Sequence, residues 1–128
     1  MIGKTNVLII DDEERFGRIV KLNLEKTGRF TVQTATEGKT GIGLARRNRP
    51  DIILLDIMMP EMSGSEVAEA LEDDPVTRSI PVIFLTALIK QEELEERGGY
   101  IKGHHFLAKP ISSQDLIQSI ESIVGSGG

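Results

Sequence analysis

Short hydrophobic runs alternate with amphipathic segments along most of the chain. Five runs are apolar enough to form buried strands: Asn6–Ile10, Phe30–Ala35, Ile52–Asp56, Pro81–Thr86 and His105–Ala108. The segments between and after these runs have helical spacing, at Glu14–Thr27, Gly38–Arg47, Gly64–Glu72, Lys90–Glu96 and Gln114–Val124. The pattern therefore predicts strands that alternate with helices along the whole sequence.

Such an alternation builds right-handed βαβ units, in which helices cover both faces of a parallel sheet. Five units in a chain of this length predict an α/β fold of the flavodoxin-like type. This fold is a doubly wound (βα)5 three-layer sandwich, and its parallel five-stranded sheet has the order 2-1-3-4-5. The first and third strands are then neighbours, and ligands bind in the crevice at their carboxyl ends.

The length of 128 residues is typical of a single domain, which we expect to comprise residues 1–124. The last residues, 125–128, read Gly-Ser-Gly-Gly and predict a flexible tail. The sequence leaves open whether this tail is a natural end, part of a linker or an expression remnant. It also leaves open whether the domain stands alone or belongs to a larger protein.

Charge and composition narrow the possible functions. A net charge of -5 and an isoelectric point near 5.1 argue against direct nucleic-acid binding by this domain. The sequence contains no cysteine, which excludes disulfides, thiol catalysis and cysteine-ligated zinc. No apolar run reaches membrane-spanning length, and the N-terminal segment does not resemble a secretory signal. We therefore expect a cytoplasmic protein with no membrane partner.

Three aspartates lie at the ends of two strands that the predicted order makes neighbours. Asp11 and Asp12 follow the first strand, and Asp56 closes the third. Like charges ~4 Å apart repel by about 1 kcal/mol in water and by about 4 kcal/mol at an effective dielectric constant near 20. A bound cation would relieve this repulsion, and hard carboxylate oxygens suit Mg²⁺. We predict a Mg²⁺ site of these acids, with a backbone carbonyl near Met58 as a further ligand.

Two more polar residues close predicted strands of the same sheet. Thr86 ends the fourth strand and Lys109 follows the fifth, so both side chains can reach the acids. Phosphoryl transfer needs a metal and a cation to neutralise the charge that spreads over the phosphoryl oxygens. Asp56 can act as the nucleophile and form an aspartyl phosphate.

These positions together carry a resemblance to a known family. In chain order they are Asp11-Asp12, Asp56-Ile57-Met58-Met59-Pro60-Glu61-Met62-Ser63-Gly64, Thr86-Ala87 and Lys109-Pro110. The set resembles the receiver (REC) domain of bacterial two-component response regulators. The similarity extends from about Thr5 to Val124, so residues 1–124 would form a response regulator receiver domain.

The resemblance implies roles for the acidic residues. Asp56 would be the phosphoacceptor, and it would also bind Mg²⁺. Asp12 would bind the metal directly, Asp11 through water, and Met58 through its backbone carbonyl. The domain would catalyse only its own phosphorylation and dephosphorylation, so we do not expect a classical enzyme.

The resemblance also implies a switch. Lys109 would pair with the phosphoryl group, and Thr86 would hydrogen-bond it. Phe106 matches the switch aromatic, whose ring moves inward when the threonine is drawn to the phosphate. The peptide bond that joins Lys109 to Pro110 would be cis. The surface formed by helix 4, strand 5 and helix 5 would then change its packing.

The expected partners are a histidine kinase or phosphotransfer protein, and a downstream effector protein or effector domain. A homodimer is a further possibility. The main alternative is an aspartyl-phosphate phosphatase of the haloacid-dehalogenase type, which needs a second acid two residues beyond the nucleophile. Met58 occupies that position, which disfavours the alternative. A flavin- or nucleotide-binding domain is disfavoured because no glycine-rich loop follows the first strand.

Overall fold

Strands and helices alternate throughout this computed structural model, which describes residues 3–88, 90–96, 100–101 and 104–126. The strands are β1 Thr5–Ile10, β2 Phe30–Ala35, β3 Ile52–Asp56, β4 Val82–Thr86, β5 Tyr100–Ile101 and β6 His104–Ala108. The helices are α1 Glu14–Glu25, α2 Gly38–Asn48, α3 Gly64–Asp73, α4 Gln91–Glu96 and α5 Ser113–Ser126.

One sheet contains all six described strands, in the order β2-β1-β3-β4-β6-β5. The pairs β1/β2, β1/β3, β3/β4 and β4/β6 are parallel. Because β6 is the fifth predicted strand, the predicted order 2-1-3-4-5 and the doubly wound α/β fold are confirmed. The prediction omitted β5, which pairs antiparallel with β6 at the edge of the sheet. Its two residues are too few to show an alternating pattern.

Hydrophobic cores lie on both faces of the sheet, because successive side chains of a strand point to opposite faces. The core on one face joins the sheet to α1 and α5, and it includes Val7, Ile9, Leu24, Ile52, Leu54, Leu116 and Ile120. The core on the other face joins it to α2 and α3, and it includes Leu8, Ile10, Ala45, Ile53, Leu55, Val67 and Leu71. Among the described residues, no helix combines the length and apolar character needed to cross a membrane.

Helix α2 approaches β1 closely because it presents a glycine to the sheet. A Cβ atom on Gly41 would lie 2.5 Å from Cδ1 of Ile10, well inside van der Waals contact. Gly43 has no atom within 4 Å of its own Cβ position, so this glycine is not needed for packing. The predicted helix therefore forms in full despite the low helix propensity of both residues.

Two predicted boundaries are corrected by the structure. Helix α1 ends at Glu25 instead of Thr27, because the Thr27 hydroxyl donates to the Leu24 carbonyl and Gly28 turns the chain with φ of +79°. Helix α5 continues through Ser126, so the tail predicted at 125–128 is wrong for its first two residues. Backbone hydrogen bonds hold the last turn of a helix, and glycine and serine can make them. Residues 127 and 128 lie outside the described part of the chain.

Candidate phosphorylation and metal site

Three carboxylates converge at the carboxyl ends of β1 and β3. One oxygen each of Asp11, Asp12 and Asp56 lies within 4.8 Å of the other two. Asp11 and Asp56 are buried, with 2% and 6% of their surface exposed, whereas Asp12 is exposed. The parallel pairing of β1 with β3 aligns Ile10 with Leu55, so the residues that follow meet at one edge. The three predicted acids thus form one cluster.

The loop between β3 and α3 folds back over the Asp56 backbone. The Met58 N–H donates a hydrogen bond to Oδ1 of Asp56 at 3.3 Å, while the Met58 side chain is exposed. Gly64 is required where the loop meets α3, since a Cβ there would lie 2.5 Å from the carbonyl oxygen of Asp56. Ser63 and Glu66 form a capping box that fixes the start of α3. A metal contact by the Met58 carbonyl stays a prediction.

Lys109 brings a positive charge to the acid cluster from the end of β6. Its Nζ atom lies 2.6 Å from Oδ2 of Asp11, 3.0 Å from Oε1 of Glu13 and 3.9 Å from Oδ2 of Asp56. The side chain is only 11% exposed, so water screens these ion pairs weakly. The peptide bond between Lys109 and Pro110 is cis. The ammonium group is thus closest to Asp11 and farther from the predicted phosphoacceptor.

The environment shifts the pKa values of Asp56 and Lys109. Burial, followed by the negative charge of Asp11, raises the pKa of Asp56 from 3.8 to about 6, although Lys109 and the Met58 N–H oppose the shift. Burial alone would lower the pKa of Lys109, but its contacts with Asp11 and Glu13 outweigh burial and raise it. Lys109 therefore stays protonated at neutral pH.

Thr86 and Phe106, the two predicted switch residues, lie on the strands next to β3. Thr86 is buried, and its Oγ1 accepts a hydrogen bond from the Leu88 N–H at 3.0 Å. The half-buried ring of Phe106 stacks on the ring of Phe84, with 5.2 Å between centroids. Strand pairing aligns Phe84 with Phe106, so the side chains of Thr86, Phe84 and Phe106 share one face of the sheet. The switching roles of Thr86 and Phe106 stay predictions.

The oxygen atoms of the cluster fit a divalent cation. Oδ2 of Asp11 is fully buried and accepts no well-aligned hydrogen bond from the described residues, although the Lys109 ammonium lies close to it. Buried oxygens normally have a partner, and a metal ion would supply one. Carboxylate oxygens are the ligands that Mg²⁺ prefers. Asp11, Asp12 and Asp56 are therefore suited to hold Mg²⁺.

Two residues of the site were not predicted from the sequence. Glu13 donates its N–H to Oδ1 of Asp11 at 2.9 Å, and its carboxylate contacts Lys109. The ring centroid of Phe16 lies 4.3 Å from Nζ of Lys109, a cation–π contact. The one signal in the sequence is position, since both residues closely follow Asp11 and Asp12. The lysine that they contact lies some 90 positions further along the chain, so only the fold reveals the pairing.

Comparison with known proteins agrees with this site. The chain matches the family model of the response regulator receiver domain over residues 7–121. The polar-differentiation response regulator DivK of Brucella anthropi is 39% identical over 121 residues, which cover 94% of this chain and 96% of DivK. The response regulator PleD of Caulobacter vibrioides is 40% identical over 122 residues, which cover 91% of this chain but only 25% of PleD.

A solved structure shows the same architecture. The receiver domain of the Francisella response regulator 1452 has a TM-score of 0.80 and 28% identity, and the match covers 98% of this chain and 100% of that one. A site of carboxylates and a lysine at the carboxyl ends of a parallel sheet thus occurs in a fold shared with receiver domains. The chain belongs to the response regulator receiver domain family. Receiver domains are signalling domains of two-component systems and are not classical enzymes.

Proposed function

We propose that this receiver domain accepts a phosphoryl group on Asp56 from a histidine kinase or a phosphotransfer protein. The observation that carries the proposal is the position of Asp56, which is buried among like charges and lies 3.9 Å from the ammonium of Lys109. A carboxylate that is partly desolvated and beside a fixed cation is suited to act as a nucleophile. With a pKa of about 6, Asp56 is mainly ionised at neutral pH.

In the proposed reaction, a carboxylate oxygen of Asp56 attacks the phosphorus of a phosphohistidine. The phosphorus–nitrogen bond breaks, and its electron pair stays on the imidazole of the donor, which takes up a proton. Mg²⁺ held by Asp11, Asp12, Asp56 and the Met58 carbonyl would supply positive charge to the phosphoryl oxygens. The protein's own acids orient that charge, because the paired strands fix their positions.

Lys109 and Thr86 are the residues that we expect to contact the phosphoryl group. The Lys109 ammonium has three N–H donors, and it already lies near Asp56. The Thr86 hydroxyl uses its oxygen to accept from the Leu88 N–H, so its own proton remains available to a phosphoryl oxygen. Both contacts would form only after phosphorylation and would therefore favour the phosphorylated state.

The output is proposed to be a change in the surface formed by α4, β6 and α5. Movement of Thr86 toward the phosphoryl group would open space for the ring of Phe106 on the same face of the sheet. Phe106 belongs to β6, so its rotation would change the surface that binds a downstream effector or a second copy of the domain. A cytoplasmic location and the absence of nucleic-acid and membrane binding also remain predictions.

The proposal is tested by labelling with acetyl phosphate in the presence and absence of Mg²⁺. The wild-type domain should gain one phosphoryl group, detected by intact mass, only when Mg²⁺ is present. Asp56→Asn should remove the labelling, because an amide oxygen is a poor nucleophile. Asp73→Asn is the matched control, since Asp73 is an exposed aspartate at the end of α3. Normal labelling of Asp56→Asn would contradict the proposal.

A further inference from the structure

Lys109 has partners in this structure that phosphoryl transfer does not use. Glu13 contacts its ammonium at 3.0 Å, closer than the 3.9 Å that separates the ammonium from Asp56. The ring of Phe16 lies 4.3 Å from the same nitrogen and covers a further side of it. These three residues also line a cavity of about 390 Å³ beside α1 and the start of α5. Lys109 is therefore held toward α1.

We propose that Glu13, assisted by the ring of Phe16, is a positioning residue that retains Lys109 until a phosphoryl group is present on Asp56. The inference rests on the proposed function, because it concerns how Lys109 reaches that group. Glu13 acts through Lys109 and has no contact of its own with Asp56 in the described structure. Its main-chain N–H is fixed by Asp11, which places its carboxylate beside the lysine.

The distances and charges explain why this retention is reversible. A charge-assisted hydrogen bond from an ammonium to an oxygen spans about 2.7–2.9 Å, so Lys109 must move by roughly 1 Å toward Asp56. Glu13 opposes that movement with a single negative charge on a side chain that is 65% exposed. Phosphorylation adds about −1.5 to −2 charge at Asp56, which exceeds the pull of Glu13. The lysine changes partners when the phosphoryl group arrives.

Removal of Glu13 should therefore favour the phosphorylated state. The test measures the affinity for beryllofluoride, a phosphoryl mimic, at saturating Mg²⁺ in low salt. Glu13→Gln should bind it more tightly, by up to about fivefold, which is the limit for an exposed ion pair. The gain should fall at high salt because ions screen the contact. Glu13 makes no side-chain capping hydrogen bond, so the substitution should not disturb the start of α1.

Two further variants separate a direct contact from a general effect of charge. Glu14→Gln is the matched control, since it removes the same charge from the next residue, whose carboxylate faces Arg18 at 3.7 Å. Glu13→Asp keeps the charge but shortens the side chain, so its carboxylate no longer reaches Lys109. We expect Glu14→Gln to bind like the wild type and Glu13→Asp to bind like Glu13→Gln. Phe16→Leu should give a smaller gain in the same direction.

The inference is overturned if Glu13→Gln matches Glu14→Gln, or if Glu13→Asp binds like the wild type. The second result would mean that local charge, and not contact with Lys109, sets the affinity. A wild-type domain that binds no beryllofluoride at saturating Mg²⁺ would instead count against the proposed function. The failure of the inference and the failure of the proposed function are thus distinguishable.

Discussion

The two strands that carry the candidate site differ in how firmly they are held. Every residue of β3, which ends in Asp56, is buried, and the strand pairs with β1 on one side and β4 on the other. In β6, which contains Phe106 and precedes Lys109, only Ala108 is fully buried. Its outer neighbour is the two-residue β5. The proposed acceptor thus lies in the rigid interior, and the proposed responding residues lie where movement costs less.

The largest effect that would break this comparison is a matched pair of core truncations. Leu54 of β3 is fully buried, and Leu107 of β6 packs half-buried against the same core. Leu54→Ala should lower the free energy of unfolding by about 2–5 kcal/mol, because it leaves a closed cavity. Leu107→Ala should cost about 1–2 kcal/mol, since its removed atoms are already partly exposed. Urea unfolding measures both, and equal losses would contradict the difference in rigidity.

A second prediction concerns the electrostatic cost of the buried acceptor. The folded-state pKa of Asp56 is raised from 3.8 to about 6, so the folded protein binds that proton more tightly than the unfolded chain. The cost is present above pH 6 and disappears as the pH falls toward 3.8. Asp56→Asn should therefore stabilise the metal-free protein at pH 7 by about 2–3 kcal/mol. Chemical unfolding in a chelator at pH 7 and near pH 4 checks this, because the difference should vanish at the lower pH.

A third prediction concerns the loop that follows Asp56. Gly64→Ala places a methyl group against the Asp56 carbonyl, so the loop must shift, at a cost of about 1–3 kcal/mol. Gly43→Ala is the control, because its Cβ meets no atom within 4 Å and alanine favours a helix by about 1 kcal/mol. Thermal unfolding should show opposite signs for the two substitutions. A neutral Gly64→Ala would mean that the loop over the acceptor is not rigid.

The smallest predicted effect concerns the aromatic pair across β4 and β6. Phe106→Leu removes the stacking on Phe84, which should cost about 0.5–1 kcal/mol of stability. Phe84→Leu should cost more, because Phe84 is only 6% exposed, whereas Phe106 is half-buried. Urea unfolding of both variants gives the comparison. A larger loss at Phe106 would place the rigid region in β6.

Hydrophobic pattern was enough to predict the interior of the sheet. The run Ile52–Asp56 is apolar up to its last residue, as a strand with two neighbours and two covered faces requires, and β3 has these limits. The short edge strand β5 was missed because its pairing with β6, and not its own two residues, defines it. The end of α5 was missed because its last turn depends on backbone hydrogen bonds, which the side-chain pattern does not record.

Prediction of the site succeeded where residues end neighbouring strands. Asp11, Asp12 and Asp56 could be placed together from strand order alone, and the structure brings them together. The partners of Lys109 could not be predicted in this way. Its contacts with Glu13 and Phe16 depend on how the first turn of α1 packs against the end of β6, which no local pattern specifies.

The most direct test of the central claim is a calorimetric titration of the domain with Mg²⁺. The claim is that crowded carboxylates at the edge of the sheet create a site whose repulsion a divalent ion relieves. The wild-type domain should bind one Mg²⁺ ion saturably, Asp12→Asn should bind it much more weakly, and Asp73→Asn should be unchanged. If the wild type shows no binding, or Asp12→Asn binds as well as the wild type, the account is contradicted.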